Sequence, residues 1–114
     1  MSQPANHPAS PDAFDVLSSQ IEEACGTLRA MANETRLKIL CSLAAGEMPV
    51  NQLAEAVGQS LSAVSQHLAK LRAEGLVETR RDAQTIYYRA TGGVGMAVIE
   101  TLCRYFGDEA AKSA

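Results

Sequence analysis

Apolar residues recur at helical spacing along most of the chain, and turn-forming residues separate the periodic segments. Four such segments precede residue 75. Each begins at a residue suited to a helix N-terminus, and these are Asp12, Asn33, Pro49 and Ser60. Glycines suited to helix ends follow the later three segments, at Gly46, Gly58 and Gly75. The pattern therefore predicts four helices before residue 75.

The fourth predicted helix, from Ser60 to about Glu74, has two contrasting faces. Its apolar residues form one stripe, which consists of Leu61, Val64, Leu68 and Leu71. The opposite face is polar or small, and its centre consists of Ser62, Gln66, Ala69 and Lys70. A solvated face usually mixes acidic with basic residues, whereas this one carries almost no acid. Such a face is suited to close approach to another surface.

A hairpin and one more helix are predicted after residue 75. Two segments rich in β-formers, 76–81 and 85–89, flank a polar turn at Asp82-Ala83-Gln84. The last helix follows Gly92-Gly93, which we interpret as a chain turn because a nucleotide loop would need a βαβ context. Its apolar residues form two stripes, Val94, Val98 and Leu102 with Met96, Ile99, Cys103 and Phe106. So wide an apolar arc predicts a homodimer formed through the first and last helices.

These elements predict a mainly α (α+β) fold in the order α-α-α-α-β-β-α. The third and fourth helices with their tight turn form a helix-turn-helix, and the hairpin forms a wing. The length of 114 residues fits one domain, at 12–110, with a disordered tail at 1–11 and a short tail at 111–114. No apolar run approaches the ~18 residues of a membrane span, and no secretory pattern begins the chain. We therefore expect a cytoplasmic protein with no membrane partner.

Charge is unevenly distributed along a chain whose formal net charge is −3. That balance argues against non-specific coating of nucleic acid, yet the segment between Lys70 and Arg89 concentrates basic residues. Glutamine can bind adenine in a bidentate way, serine can bind a base edge or a phosphate, and lysine and arginine bind phosphates. We expect contacts with double-stranded DNA from Ser60, Ser62, Ser65, Gln66, His67, Lys70, Arg81, Gln84 and Thr85. His67 flanks the apolar stripe, so a packed or capping role is equally open for it.

Two segments, MANETRLKILCSL and QLAEAVGQSLSAVSQHLAKLRAEGLVETRRDAQTIYYR, strongly resemble the arsenic-repressor (ArsR) family of bacterial winged-helix regulators. The resemblance covers roughly residues 28–108 and implies the same order of helices and strands, with operator binding as a dimer. Relatives commonly read Leu-Ser-Gln-Ser after the turn glycine, where this chain has Gln59-Ser60-Leu61-Ser62. No operator sequence is therefore carried over from the family.

Many members of that family release DNA when a metal binds. Here the third helix begins Pro49-Val50-Asn51-Gln52, where relatives with a thiolate metal site place cysteines. The segment 94–106 contains Glu100 but no histidine or aspartate. Because these ligand types are missing, we expect no metal site and no cofactor.

Cysteine chemistry offers another switch. Cys41 occupies a position where thiol-switch relatives also carry a cysteine, and their partner position corresponds to Gly107. Cys103 lies four residues before Gly107, which is about 6 Å along a helix. Three interpretations stay open: packing of all three cysteines in the core, a Cys41–Cys103 switch that responds to an oxidant or a sulfur species, and pairing of Cys25 with Cys103 across the dimer.

An enzyme is not expected, because no nucleophile–base–acid set, phosphate-cradling loop or carboxylate pair has a useful spacing. The sequence predicts a bacterial transcriptional regulator, a repressor, that binds a palindromic operator as a homodimer. A ligand-independent repressor and a metal-responsive repressor are alternatives within this class. A winged helix that binds protein is the alternative from another class, but such a module would lose the acid-poor face that this chain keeps.

Overall fold

The computed structural model describes the backbone of residues 12–113 and the side chains of residues 12–109. The predicted tail at 1–11 lies outside the described residues. In chain order the elements are α1 (Ala13–Leu17), a 3-10 turn (Ser18–Gln20), α2 (Ile21–Met31), α3 (Glu34–Ala44), β1 (Met48–Pro49), α4 (Val50–Val57), α5 (Leu61–Ala73), β2 (Val77–Asp82), β3 (Thr85–Ala90) and α6 (Gly93–Ser113). Helix α6 thus continues three residues past the domain end expected at residue 110.

The predicted first helix is interrupted. Asp12 caps α1 as expected, because its Oδ1 accepts a hydrogen bond of 2.9 Å from the backbone N–H of Asp15. The hydroxyl of Ser18 donates to the carbonyl of Asp15 over 3.4 Å, and a 3-10 turn follows before α2 begins. Serine hydroxyls compete with the backbone ladder in this way, so the expectation of one continuous helix is wrong at Ser18–Gln20.

The apolar stripe of the first helices lies outside the core of the chain. Its large residues are all exposed, and they are Phe14, Leu17, Ile21 and Leu28. The buried residues of α2 are instead Thr27, Ala30 and Met31, near the end that meets α3. This region therefore presents an apolar surface that the single chain does not cover.

The core forms where α3, α4 and α5 pack against one another, the sheet and α6. Its largest fully buried side chains are Ile39, Leu40, Leu53, Leu68, Leu71, Ile99, Val64 and Val77. In α4 the spacing predicts that Leu53, Ala54 and Val57 face inward, and the structure confirms this because all three are buried. In α3 the spacing predicts one face formed by Leu37, Leu40, Cys41 and Ala44. This is partly wrong, because Ile39, Leu40 and Leu43 are buried whereas Cys41 and Ala44 are exposed.

The apolar residues of α3 surround more than half of that helix. Spacing alone could not choose among them, and the choice is made by the elements that pack against α3, chiefly α4, α5, β3 and α6. The buried face is therefore centred away from Cys41, which stays at the surface.

Helix α5 buries most of its predicted stripe. Val64, Leu68 and Leu71 are each 0% exposed, whereas Leu61 is 53% exposed. Leu61 is the first residue of the helix, and side chains on a helix tilt toward its N-terminus. The Leu61 side chain therefore lies beyond the edge of the core, and its assignment to the buried stripe is wrong.

The wing is an antiparallel hairpin in a sheet of three strands with the order β1-β3-β2. Strands β2 and β3 pair from Val77↔Ala90 to Asp82↔Thr85, which confirms the predicted hairpin and its polar turn. Strand β1 pairs through Met48↔Tyr88 and was not predicted, because two residues are too few for a periodic signal. The structure confirms the mainly α (α+β) class, with a sheet one strand wider than expected.

Helix α6 packs against the core through its first half, where Gly95 and Ile99 are buried. A Cβ at Gly95 would lie 2.7 Å from Cδ2 of Leu76, so glycine permits the close approach of α6 to the start of the wing. Beyond residue 100, every side chain up to residue 109 is exposed. Among the helices of residues 12–113, none has the length and hydropathy that crossing a membrane requires.

A buried and an exposed leucine of the α5 stripe, Leu68 and Leu61, give a prediction about stability. Leu68→Ala empties a fully buried site and should lower the free energy of unfolding by about 2–5 kcal/mol. Leu61→Ala removes an exposed side chain and should change it by less than about 0.5 kcal/mol. Urea unfolding at one fixed protein concentration measures both variants, and equal losses would contradict the exposed position of Leu61.

Candidate nucleic-acid interface

A tight turn sets the angle between α4 and α5. Gly58 adopts the left-handed conformation, with φ 71° and ψ 36°, and ends α4. The N–H groups of Gly58 and Gln59 both donate to the carbonyl of Ala54, over 2.9 Å and 3.1 Å. The Oγ of Ser60 then accepts a hydrogen bond of 3.1 Å from the N–H of Ala63 and caps α5. Ser60, predicted as a DNA contact, therefore has a structural role, although its hydroxyl hydrogen remains free to donate.

The outer face of α5 carries short polar side chains and one lysine. Ser62, Ser65, Gln66 and Lys70 are all exposed. The helix contains no aspartate or glutamate from Leu61 to Ala73. Its buried stripe holds this polar face outward, so the structure brings these four predicted residues together on one accessible surface.

The tip of the wing carries the other three predicted residues. Arg81 and Asp82 end β2, Thr85 begins β3, and Gln84 lies in the two-residue turn between the strands. The side chains of Arg81, Gln84 and Thr85 are all exposed. Within the described part of the chain, Arg81 has no carboxylate within 4.0 Å, so its positive charge is available to a ligand.

Two other wing arginines are paired with carboxylates. Arg80 donates to both carboxylate oxygens of Glu47, lies 3.8 Å from Asp82, and has its guanidinium carbon 4.7 Å from the centroid of the Tyr87 ring. The hydrogen bond from Arg80 lowers the pKa of Glu47 below its usual value, so this carboxylate is ionised at neutral pH. Arg89 pairs with Glu78 at 2.6 Å across the hairpin. These pairs fix the base of the wing and leave Arg81 as its unpaired cation.

His67 is placed differently from the other predicted contacts. Its side chain is half-buried, and its Nδ1 lies 3.3 Å from Nη1 of Arg36 in α3. Sequence reasoning missed Arg36, because its partners lie on two other helices. The motif Asn33-Glu34-Thr35-Arg36 identified only the helix cap, which the structure confirms through the bond from the N–H of Arg36 to Asn33 Oδ1.

The cysteines are all exposed in the single chain, so none of them is a core-packing residue there. Cys41 lies in α3 and Cys103 in α6, two helices that pack against each other. Partial burial raises the pKa of the Cys41 thiol, and the charge and hydrogen bonding of Cys103 raise it further. These are the two cysteines that the sequence analysis suggested as a switch, which stays a prediction.

No group of three or more histidine, cysteine, aspartate or glutamate side chains that could hold a metal ion occurs among the described residues. The polar face of α5 and the wing tip supply the polar groups of the candidate interface, and the two cysteines lie on α3 and α6. Together with the fold, they define a winged helix-turn-helix protein.

Comparison with known proteins identifies the family. Residues 33–79 match the family described as bacterial regulatory protein, arsR family. The chain is 53% identical over 88 residues to the nodulation protein NolR of Rhizobium meliloti, covering 77% of this chain and 72% of NolR. It is 49% identical over 79 residues to the transcriptional activator HlyU of Vibrio cholerae, covering 69% and 73%. The chain belongs to the arsR family, whose members are DNA-binding transcriptional regulators rather than enzymes.

A solved structure supports the same assignment. The homodimeric winged helix-turn-helix DNA-binding domain Mb0332 of Mycobacterium bovis, a possible ArsR-family regulator, superposes with a TM-score of 0.71. The two sequences are 31% identical, and the match covers 94% of this chain and 96% of the other. The likeness thus extends beyond the helix-turn-helix to nearly the whole chain.

The effect of Cys103 on the pKa of the Cys41 thiol gives a prediction. Replacing Cys103 with alanine removes its charge and its hydrogen bond, so the pKa of Cys41 should fall toward the usual value. More Cys41 is then ionised at a given pH, and alkylation by iodoacetamide should be faster near pH 8. Peptide mass spectrometry in a Cys25→Ser background measures this rate with and without Cys103→Ala. An unchanged pH profile would show that the two thiols do not interact.

Proposed function

We propose that this protein is a cytoplasmic transcriptional repressor that binds a palindromic operator as a homodimer. We further propose that oxidation or persulfidation of Cys41 and Cys103 releases it from DNA. The observation that carries the first proposal is the exposed, acid-free face of α5, held outward by a fully buried stripe. Membership of the arsR family supports the same class of function.

Helix α5 has the dimensions and chemistry to read the major groove. An α-helix fits that groove, and in a helix-turn-helix the second helix contacts the base edges. The amide of Gln66 can bind adenine, and the hydroxyls of Ser62 and Ser65 can bind base edges or phosphates. Lys70 lies one turn after Gln66 and can neutralise a phosphate. The absence of acid in α5 removes the repulsion that phosphates would otherwise meet.

The wing extends this surface. The exposed cation of Arg81 and the polar tip residues Gln84 and Thr85 suit contacts with the DNA backbone. The pairing of Arg80 with Glu47 keeps the hairpin at a fixed angle to the helices. We therefore assign Arg81 to phosphate binding and Arg80 to support of the wing.

Dimerisation is supported by apolar residues that the single chain leaves uncovered. They occur at both ends of the sequence, in α1, α2 and α6, and they are Phe14, Val16, Leu17, Ile21, Leu28, Val94, Leu102, Tyr105 and Phe106. So many large apolar side chains left exposed in three helices are typical of a protein interface. The related Mb0332 domain is homodimeric, which supports the same assembly here. A dimer would present two copies of α5 to two half-sites about one helical turn apart.

The cysteine pair suits a reversible switch. Two thiols close to each other can form a disulfide, losing two protons and two electrons, while a hydrogen peroxide molecule accepts both and becomes two waters. A polysulfide leads to the same bond in two steps. The Cys41 thiolate attacks the terminal sulfur of the polysulfide, forms a persulfide and releases a polysulfide shorter by one sulfur, and the Cys103 thiolate then attacks the Cys41 sulfur and displaces hydrosulfide. The bond would tie α3 to α6, a helix of the proposed dimer interface, and so change the spacing of the two α5 helices.

Two substitutions in α5 separate base reading from phosphate binding. Gln66→Ala should weaken binding to the operator by about 1–3 kcal/mol and leave binding to unrelated duplex DNA nearly unchanged. Lys70→Ala should weaken both and reduce the slope of log affinity against log salt by about 1. Lys38→Ala, which removes an exposed lysine from α3, is the charge-matched control and should change neither.

Fluorescence anisotropy with a duplex from upstream of the protein's own gene measures these affinities. The unmodified protein should bind with a Kd of about 10 nM or tighter and with a steep salt dependence. Absent or salt-insensitive binding would contradict the proposed function and would favour a protein-binding winged helix.

The switch makes a second prediction. Treatment with hydrogen peroxide or a polysulfide should weaken operator binding, and a reducing agent should restore it. Cys41→Ser and Cys103→Ser should each abolish the response, whereas Cys25→Ser, which removes a thiol outside the pair, should keep it. Peptide mass spectrometry should show a Cys41–Cys103 bond within one chain. Unchanged affinity after oxidation, with no such bond, would contradict the switch.

A further inference from the structure

Arg36 joins three helices through one guanidinium group. The residue lies in the first turn of α3 and is half-buried. Its Nε donates to the carbonyl of Ala30 over 2.5 Å, and its Nη2 lies 3.5 Å from the carbonyl of Arg29. Its Nη1 lies 3.3 Å from Nδ1 of His67 in α5. The end of α2 and the middle of α5 are therefore connected through a single side chain of α3.

The carbonyls at the end of α2 and the ring of His67 can both accept hydrogen bonds from Arg36. The last carbonyls of a helix have no partner within the helix and carry partial negative charge, so a guanidinium satisfies and stabilises the end of α2. A guanidinium is always charged and only donates hydrogen bonds. His67 must therefore accept at Nδ1, which places the proton of its neutral ring on Nε2.

We infer that Arg36 and His67 form a positioning pair that fixes the DNA-reading helix α5 relative to α2. This inference rests on the proposed function, in which α5 reads bases and α2 belongs to the dimer interface. His67 directly follows Gln66 and precedes Lys70 by three residues, so its anchoring restrains the side chains proposed to contact DNA. His67 then acts through Arg36 and is not itself a contact to DNA.

Helix placement matters because a dimer reads two half-sites at once. An error in the angle between α2 and α5 occurs in both subunits and misplaces both recognition helices relative to the DNA. Helices α2 and α5 also pack directly against each other, and Arg36 reinforces this packing because it contacts the last turn of one and a side chain of the other. Its loss should therefore weaken specific binding more than non-specific binding.

The tautomer of the His67 ring tests the hydrogen bond between Arg36 and His67 in the absence of DNA. The chain has two histidines, so a His7→Ala variant leaves His67 as its only ring signal in a long-range 1H–15N NMR spectrum. At pH 8 we expect the Nε2–H tautomer with Nδ1 as an acceptor, and Arg36→Met should convert the pattern to that of a solvent-exposed ring. A ring protonated at Nδ1 in the Arg36-containing protein would overturn the inference, and this readout does not depend on how well Arg36→Met folds.

A double-mutant cycle in operator affinity tests the role. Arg36→Met and His67→Phe should each weaken binding roughly tenfold, as expected for one lost hydrogen bond to a charged group. The double variant should be no weaker than either single variant. His67→Asn should retain most of the affinity, because its amide oxygen can accept from Arg36. Circular dichroism confirms that each variant is folded.

Two results in operator affinity would overturn the positioning pair. Losses that multiply in the double variant, or a His67→Asn variant as weak as His67→Phe, would show that His67 contacts DNA directly and would overturn the pair. If the unmodified protein binds no operator, the proposed function fails and the positioning role fails with it. In that case the ring tautomer still shows whether Arg36 holds His67, so the two failures are distinguishable.

Discussion

The packing of Val64, Leu68 and Leu71 against the core fixes which side of α5 faces outward. All three side chains are 0% exposed, and they contact elements that are themselves held by the rest of the core. Turning the helix by one residue, about 100°, would bury polar groups such as the Ser65 hydroxyl and expose leucine. Burying an unpaired hydroxyl alone costs about 1–3 kcal/mol, so the outward face is strongly specified. The proposed contacts to DNA depend on this orientation.

Some charged residues near α5 stabilise the wing, and others are available to bind DNA. Arg80 and Arg89 are held by Glu47 and Glu78, and each pair ties one part of the wing to its neighbour. Arg81 points away from these carboxylates at the tip of the hairpin. An acidic chain can therefore bind DNA, because most of its acidic groups are elsewhere or already paired near the proposed surface. Local arrangement, rather than net charge, governs the contact with phosphate.

The spacing of apolar residues was sufficient to predict the helices apart from the break at Ser18–Gln20, the hairpin and the polar face of α5, because these features depend on neighbours within one turn or one strand. The spacing could not predict interactions between residues that are distant in the sequence. Arg36 and His67 are 31 positions apart, and Arg80 and Glu47 are 33 positions apart. Leu61 fits the apolar stripe by spacing, but it is the first residue of α5 and its side chain extends past the edge of the core. No pattern within one segment shows where a neighbouring element ends.

Selection of bound sequences from random duplex DNA, with reduced and with oxidised protein, shows whether a reduced dimer reads two half-sites. We expect reduced protein to enrich an inverted repeat whose half-sites lie about 10–10.5 base pairs apart, centre to centre, and oxidised protein to enrich nothing. Enrichment of no sequence under either condition, or of a single unrepeated site, would contradict this expectation.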